Sequence, residues 1–206
     1  AKACSDALGR DIYKSDAHSV SLRRKPEPID WVAIQKIVRA LEKEYASASE
    51  PVARHNSFAR LVLFILLIAT GHRRSVSSFP FPWDFSLPDR LVFICDKLIT
   101  GSEARFVPLP GVALAYLQRY AKDLRQISRL VQGEARSYAK QTASFLSFDT
   151  DPPKSSRLAS FHPSAGVFFL LEQDGTLSRK KLTTGALDLH IELLTKVRQP
   201  TAKLRS

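Results

Sequence analysis

Residues 61–71, LVLFILLIATG, decide the fold class of this chain. Nine apolar residues in a row, from Leu61 to Ala69, precede Thr70 and Gly71. The run is too short for a membrane span, which needs about 20 apolar residues, and glycine is favoured just beyond a helix C-terminus. We therefore predict a central helix that starts near Asn56 or Ser57, ends at Thr70 and lies buried in the core of a soluble domain.

Amphipathic helices are predicted on both sides of this central helix. Upstream, Asp30 is a suitable N-cap for a helix whose apolar face begins at Trp31 and ends at Tyr45. Downstream, apolar residues recur at helical spacing from Leu114 to Val131, with polar residues on the other side of that helix. A last helix is predicted to follow a cap at Ser178. Its predicted core face carries Leu182, Ala186, Leu189, Leu193 and Val197.

A small antiparallel sheet is predicted between these helices. Residues 90–95 (RLVFIC) and 104–109 (ARFVPL) flank a loop with Thr100, Gly101 and Ser102, which is the pattern of a β-hairpin. The prolines of residues 79–85 (FPFPWDF) restrict any strand there to an edge. Residues 141–165 are rich in Ser, Thr, Pro and charge, which predicts an irregular loop. The predicted fold class is thus α+β and mostly helical.

The charge of the chain favours a polyanionic partner. Lysine and arginine number 31 against 20 acidic residues, a formal net charge of +11, so nucleic acid is the first candidate and an anionic membrane surface the second. Cys4 and Cys95 stand far apart without a CxxC pattern, so we expect neither a zinc site nor another metal site. The N-terminus lacks the apolar stretch of a signal peptide, which favours a cytoplasmic protein.

Four stretches, taken in order, resemble the catalytic domain of the tyrosine recombinases, the phage-integrase family. Residues 68–73 (IATGHR) are similar to the family's A-T-G-x-R at the end of a buried helix. Lys97 with Thr100-Gly101-Ser102 and RFVPL at 105–109 resembles the hairpin that carries the catalytic lysine. Residues 168–179 resemble the entry to the next helix, and TAKLR at 201–205 resembles the box of the second arginine. The resemblance covers residues 28–206 and leaves residues 1–27 as an N-terminal arm or linker.

The resemblance implies a mechanism and a set of site residues. A tyrosine would attack a DNA phosphodiester and form a 3′-phosphotyrosyl intermediate, without metal or other cofactor, in DNA-bound assemblies of several copies. The implied catalytic residues are Arg73, Lys97 and Arg205. The implied DNA-binding residues are His72, Arg74, Thr100, Ser102, Arg105, Arg179, Lys180 and Lys181.

Departures from the family pattern keep two alternatives open. Val76 stands where the family has an acidic residue, Ala202 stands where it has the first histidine of H-x-x-R, and no tyrosine follows Arg205. We expect these 206 residues alone not to cleave DNA. One alternative is therefore a degenerate relative that binds DNA without cutting it. The other is a generic basic helical module that binds RNA or an acidic protein, although no RNA-binding signature supports it.

Overall fold

A computed structural model of the chain describes residues 30–71, 79, 81–95, 104–147 and 166–195. The chain divides into two units, residues 1–31 and 32–206, and all described residues except Asp30 and Trp31 belong to the second unit. The domain boundary predicted after residue 27 stays a prediction.

The described residues form a mostly helical α+β domain, which confirms the predicted fold class. Its helices are α1 (Trp31–Ser47), α2 (Pro51–Thr70), α3 (Gly111–Leu130), α4 (Gly133–Phe145) and α5 (Thr184–Thr195). Its strands are β1 (Phe85–Ser86), β2 (Leu91–Cys95) and β3 (Ala104–Pro108). One turn of 3₁₀-helix, Pro82–Asp84, precedes β1.

The central helix α2 is the most buried element, as predicted. Leu61, Leu63 and Leu66 are fully enclosed, and α2 packs along α3. The helix has 20 residues, and an 18-residue window of it has a mean hydropathy of 1.5, so it is long and apolar enough for a membrane span, but half of that window is buried inside the domain. It is therefore the core helix of a domain with the character of a soluble protein.

Both ends of α2 have a local cause. The helix starts at Pro51, five residues before the predicted Asn56, because proline fits the first helical position and lacks only an N–H that would have no partner there. At the other end, Gly71 takes the left-handed conformation (φ 59°) and its N–H turns back to the carbonyls of Leu67 and Ile68. The predicted end at Thr70 is confirmed.

The three strands form an antiparallel sheet in the order β1-β2-β3. Val92 pairs with Val107 and Ile94 with Arg105, so the two strands of the predicted hairpin are confirmed. Strand β1, which follows the prolines, is an edge strand. Val92 and Ile94 are buried, whereas the ring of Phe93 packs at a tilt against the exposed Phe106 on the opposite face, as alternation along a strand requires.

Helix α4 is where the sequence-based prediction fails first. Residues 141–145, predicted as part of an irregular loop, form the last turns of this helix. Its buried face consists mainly of Ala135, Ala139 and Ala143 with Tyr138. Gly133, with φ 57°, allows the sharp connection from α3 through Val131 and Gln132. Small side chains let α4 lie close against α3 although they give the sequence little apolar periodicity.

Residues 166–177 form an irregular segment that is tied to the helices by side chains. Leu171 and Leu177 form an antiparallel bridge around the turn at Asp174 and Gly175. Asn56 of α2 binds the backbone of Leu171 twice: its Nδ2 donates to the carbonyl at 2.8 Å and its Oδ1 accepts the N–H at 2.8 Å. The amide thus takes the place of a neighbouring strand for Leu171.

The predictions for the last helix are wrong in two respects. Helix α5 starts at Thr184 rather than after Ser178, and the hydroxyl of Thr183 accepts the N–H of Ala186 at its first turn. Its buried face is Thr184, Leu187 and Ile191. Leu189 and Leu193, which were predicted to face the core, are 60% and 73% exposed. Trp31, predicted on the apolar face of α1, is also exposed.

Candidate nucleic-acid interface

Arg105 connects the end of the central helix with the hairpin. It lies on β3, opposite Ile94, and its Nη2 donates to the carbonyl of Gly71 at 3.5 Å. The last carbonyls of a helix carry partial negative charge, so a guanidinium is favoured at this position. Of the eight predicted DNA-binding residues, Arg105 is therefore the one that the described structure ties to the end of α2.

Most of the other predicted site residues lie outside the described residues. These are His72, Arg73, Arg74, Lys97, Thr100, Ser102 and Arg205. In the sequence, Arg73 follows Gly71 by two positions and Lys97 follows Cys95 by two positions. These two predicted catalytic cations thus follow the ends of α2 and β2 in the sequence. Arg105 contacts the residue after α2, and its strand β3 pairs with β2.

Arg179, Lys180 and Lys181 lie exposed on the segment that leads into α5. The segment is held by Ser178, whose Oγ donates to Glu172 at 2.6 Å and accepts the N–H of Lys180 at 3.2 Å. Among the described residues, no carboxylate pairs with these three cations, and no hydrogen bond connects them with Arg105. They form a basic segment separate from the Arg105 contact.

The described tyrosines are packing residues. Tyr120 and Tyr138 donate to the carbonyls of Val167 and Gly166 at 3.2 and 2.8 Å, and burial raises the pKa of both hydroxyls. Burial and the hydrogen bond to Glu42 also raise the pKa of Tyr116. Tyr45 stacks on Phe58 with ring centres 4.6 Å apart. A raised pKa disfavours the phenolate, so the hydroxyls of Tyr116, Tyr120 and Tyr138 are poor nucleophiles.

Two histidine–carboxylate contacts hold the helices together. His190 lies 2.8 Å from Glu44 through its Nε2 and joins α5 to α1. Burial alone would raise the pKa of Glu44, but the contacts with His190, Arg60 and Ser57 hold it below its ordinary value. Both residues are thus accounted for by helix packing.

The second contact was missed by sequence analysis. His55 of α2 is fully buried, and its Nδ1 lies 2.7 Å from Oδ2 of Asp123 on α3. The imidazole packs against the rings of Tyr120 and Phe169, at 6.0 and 5.1 Å. No local signal pairs two residues 68 positions apart, and only the packing of α2 on α3 brings them together.

Beside this pair lies a shallow pocket of about 230 Å³. Its walls are Tyr45, Phe58, Arg119, Lys122, Asp123 and Gln126. The guanidinium of Arg119 lies over the rings of Phe58 and Tyr116, at 5.3 and 5.2 Å from their centres. Two cations and an amide on one helix, with a carboxylate already bound to a histidine, suit an anionic ligand. The sequence shows no motif that assigns these residues to a site.

Among the described residues, no group of three His, Cys, Asp or Glu side chains is arranged to hold a metal ion. No protein-family model, no curated protein and no solved structure matches this chain significantly.

Proposed function

We propose that this chain is a cytoplasmic domain that binds double-stranded DNA, of the tyrosine-recombinase type, and that it carries the cationic part of a strand-cleavage site. The observation that carries the proposal is the contact of Arg105 with the carbonyl of Gly71. It supports the proposal because Arg73 follows the end of α2, and Lys97 follows β2, the strand that pairs with the strand of Arg105.

The proposed chemistry follows from the charges. When a tyrosine attacks a phosphodiester, negative charge grows on the non-bridging oxygens, and fixed guanidiniums stabilise it. In this proposal Arg73 and Arg205 bind those oxygens, and Lys97 protonates the leaving 5′-oxygen. The tyrosine would become linked to the 3′-phosphate. In the resemblance this tyrosine follows the second arginine, so cleavage is proposed for a protein in which it is supplied there, acting as several copies on DNA.

The first experiment measures duplex binding by fluorescence anisotropy over a range of salt concentrations. We expect the logarithm of the association constant to fall steeply and linearly with the logarithm of salt concentration, and Arg105→Gln to weaken binding. Arg39→Gln, which removes the same charge from an exposed position of α1, is the matched control. Equal loss in both variants would remove Arg105 from the interface, and a wild-type protein without duplex binding would refute the proposal.

The second experiment tests cleavage with the full-length gene product on a nicked suicide substrate, which traps a covalent protein–DNA adduct. Arg73→Ala is expected to abolish the adduct while duplex binding and thermal stability remain close to wild type. Wild-type adduct formation by this variant would exclude Arg73 from the active site.

Val76 and Ala202 favour a second candidate, a degenerate relative that binds DNA without cutting it. Duplex binding by the complete protein without any adduct would establish this candidate over the enzyme. Displacement of the duplex by single-stranded RNA at matched salt would favour the RNA-binding alternative.

A further inference from the structure

We infer that the exposed face of α3 is a second contact track for the phosphate backbone, separate from the Arg105 contact. This track starts at the pocket beside Asp123 and continues along α3 through Lys122, Arg125 and Arg129. The inference rests on the proposed DNA-binding function and assigns that function a surface on a second part of the domain.

The spacing of the cations fits a DNA strand. Lys122, Arg125 and Arg129 are exposed and follow one another at intervals of three and four positions, so they share one face of α3. With a rise of about 1.5 Å per residue they extend over about 10 Å of the helix. One strand of duplex DNA carries a phosphate for about every 3.4 Å of its axis. Three cations over this length, on long side chains, can therefore each contact a phosphate of the same strand.

Arg119 is held in place at the start of the track. Its guanidinium lies over Phe58 and Tyr116, two rings from different helices, so its position is largely set before a ligand arrives. Together with Lys122 and Gln126 it lines the pocket of about 230 Å³, which has room for one phosphate group. A cation held in position loses little side-chain entropy on binding, so this pocket is the expected anchor of the track.

The charge of α3 is also poorly balanced within the protein. The helix carries four cations and one carboxylate, Asp123, whose Oδ2 is already bound to His55. Among the described residues no carboxylate pairs with Lys122 or Arg129, and Arg125 donates to the neutral Ser147 hydroxyl at 3.0 Å. The positive potential of this face therefore extends into solvent, where it can attract a polyanion.

Helix α1 provides a matched comparison. Lys36, Arg39 and Lys43 have the same three- and four-residue spacing and are exposed as well. However, α1 carries two carboxylates against these three cations, and none of the three cations lines the pocket. The α1 cations thus share the number, spacing and charge of the α3 cations but have no anchoring pocket beside them.

The test compares two triple variants of the full chain by anisotropy with a fluorescent duplex, between about 0.05 and about 0.2 M salt. The first is Lys122→Gln, Arg125→Gln and Arg129→Gln; the second is Lys36→Gln, Arg39→Gln and Lys43→Gln. Each phosphate contact contributes about 0.9 to the salt slope, so the first variant should lose about 2.7 from the slope. This corresponds to a loss of affinity of up to about 500-fold at 0.1 M salt. The second variant should keep most of the wild-type slope.

Each outcome decides the inference. A reduced slope in the α3 variant alone, with unchanged melting temperatures, supports the track. Equal slopes in the two triple variants would show that only net charge matters and would overturn it. If Arg105→Gln weakens binding while the α3 variant binds like wild type, the proposed function stands and the track fails. A wild-type protein that binds no duplex refutes the proposed function and this inference with it.

Discussion

Asn56 is the side chain whose replacement tests the packing of the domain most directly. The backbone hydrogen bonds beside the Leu171–Leu177 bridge run from Glu172 to Thr176 and from Ser178 to Leu170, so the N–H and carbonyl of Leu171 face away from that bridge. Both are bound by the Asn56 amide instead. Replacing Asn56 by Ala leaves a donor and an acceptor at a buried residue without these partners.

The cost can be worked out from these two contacts. Each hydrogen bond contributes a net stability of about 1 kcal/mol, and a buried polar group left without a partner costs about 1–3 kcal/mol. Because Leu171 is only 4% exposed, water reaches these groups poorly. We expect Asn56→Ala to lower the free energy of unfolding by about 2–4 kcal/mol, and a loss of 3 kcal/mol corresponds to a shift of about 6–12 °C in Tm.

Urea denaturation followed by circular dichroism measures the loss, and Asn56→Asp is the informative companion variant. Its carboxylate can still accept the N–H of Leu171 but repels the carbonyl oxygen, and only the protonated acid can donate to that carbonyl. The aspartate variant should therefore gain stability relative to Asn56→Ala as the pH falls from about 7.5 to about 5. A loss below about 0.5 kcal/mol for Asn56→Ala, within the range of surface substitutions, would refute the assigned role.

Three further predictions concern single contacts. Gly71→Ala should cost about 1 kcal/mol in urea denaturation, because a Cβ there meets no atom within 4 Å and only the left-handed backbone (φ 59°) opposes it; a neutral variant would contradict this account. Tyr138→Phe should lose about 1 kcal/mol with the hydrogen bond to Gly166, whereas Tyr45→Phe, whose hydroxyl accepts only a 3.4 Å contact from Arg54, should be nearly neutral; equal losses would argue against the Gly166 contact. Burial raises the pKa of Asp84 from 3.8 to about 6, so the folded state binds a proton that the unfolded state has released, and this carboxyl costs stability as the pH rises through that window. In thermal melts of both proteins, Asp84→Asn should therefore gain stability relative to wild type as the pH rises from about 4 to about 6. The same pH dependence of Tm in the two proteins would contradict the assigned role of the Asp84 carboxyl.

The elements that sequence analysis predicted well are those whose apolar pattern is strong. The buried run of α2 ends at a glycine, and the two strands of the hairpin alternate between more buried and more exposed side chains. Helix α3 has large aliphatic residues on one side and charge on the other. In these elements one face is clearly apolar, so burial and sequence agree.

The failures arise where burial depends on packing between elements. The core face of α4 is made of alanines, whose small apolar area gives a weak pattern, and they are buried because α3 lies close to them. Helix α5 has leucines on more than one side, so the pattern does not reveal that Leu187 and Ile191 are buried while Leu189 and Leu193 are exposed. Ser178 resembles a helix cap, but Glu172 binds its hydroxyl.

The candidate interface shows the same limit. Arg105 was selected from its place in a motif, and its contact with Gly71 depends on how the sheet packs against the end of α2. The pocket on α3 combines Tyr45 of α1, Phe58 of α2 and four residues of α3. No short stretch of sequence contains such a site, because three helices contribute to it.

The double hydrogen bond between Asn56 and Leu171 also has a consequence for the order of folding. Helices α3 and α4 are joined by two residues, so their contact forms after closure of a very short loop, whereas Asn56 and Leu171 are 115 positions apart. Closing a long loop has a larger entropic cost and slows the formation of its contacts. We therefore expect the α3–α4 pair to form early and residues 166–177 to attach late. In native-state hydrogen exchange the amide of Leu171 should then lose protection at lower denaturant concentrations than the amides in the middle of α3.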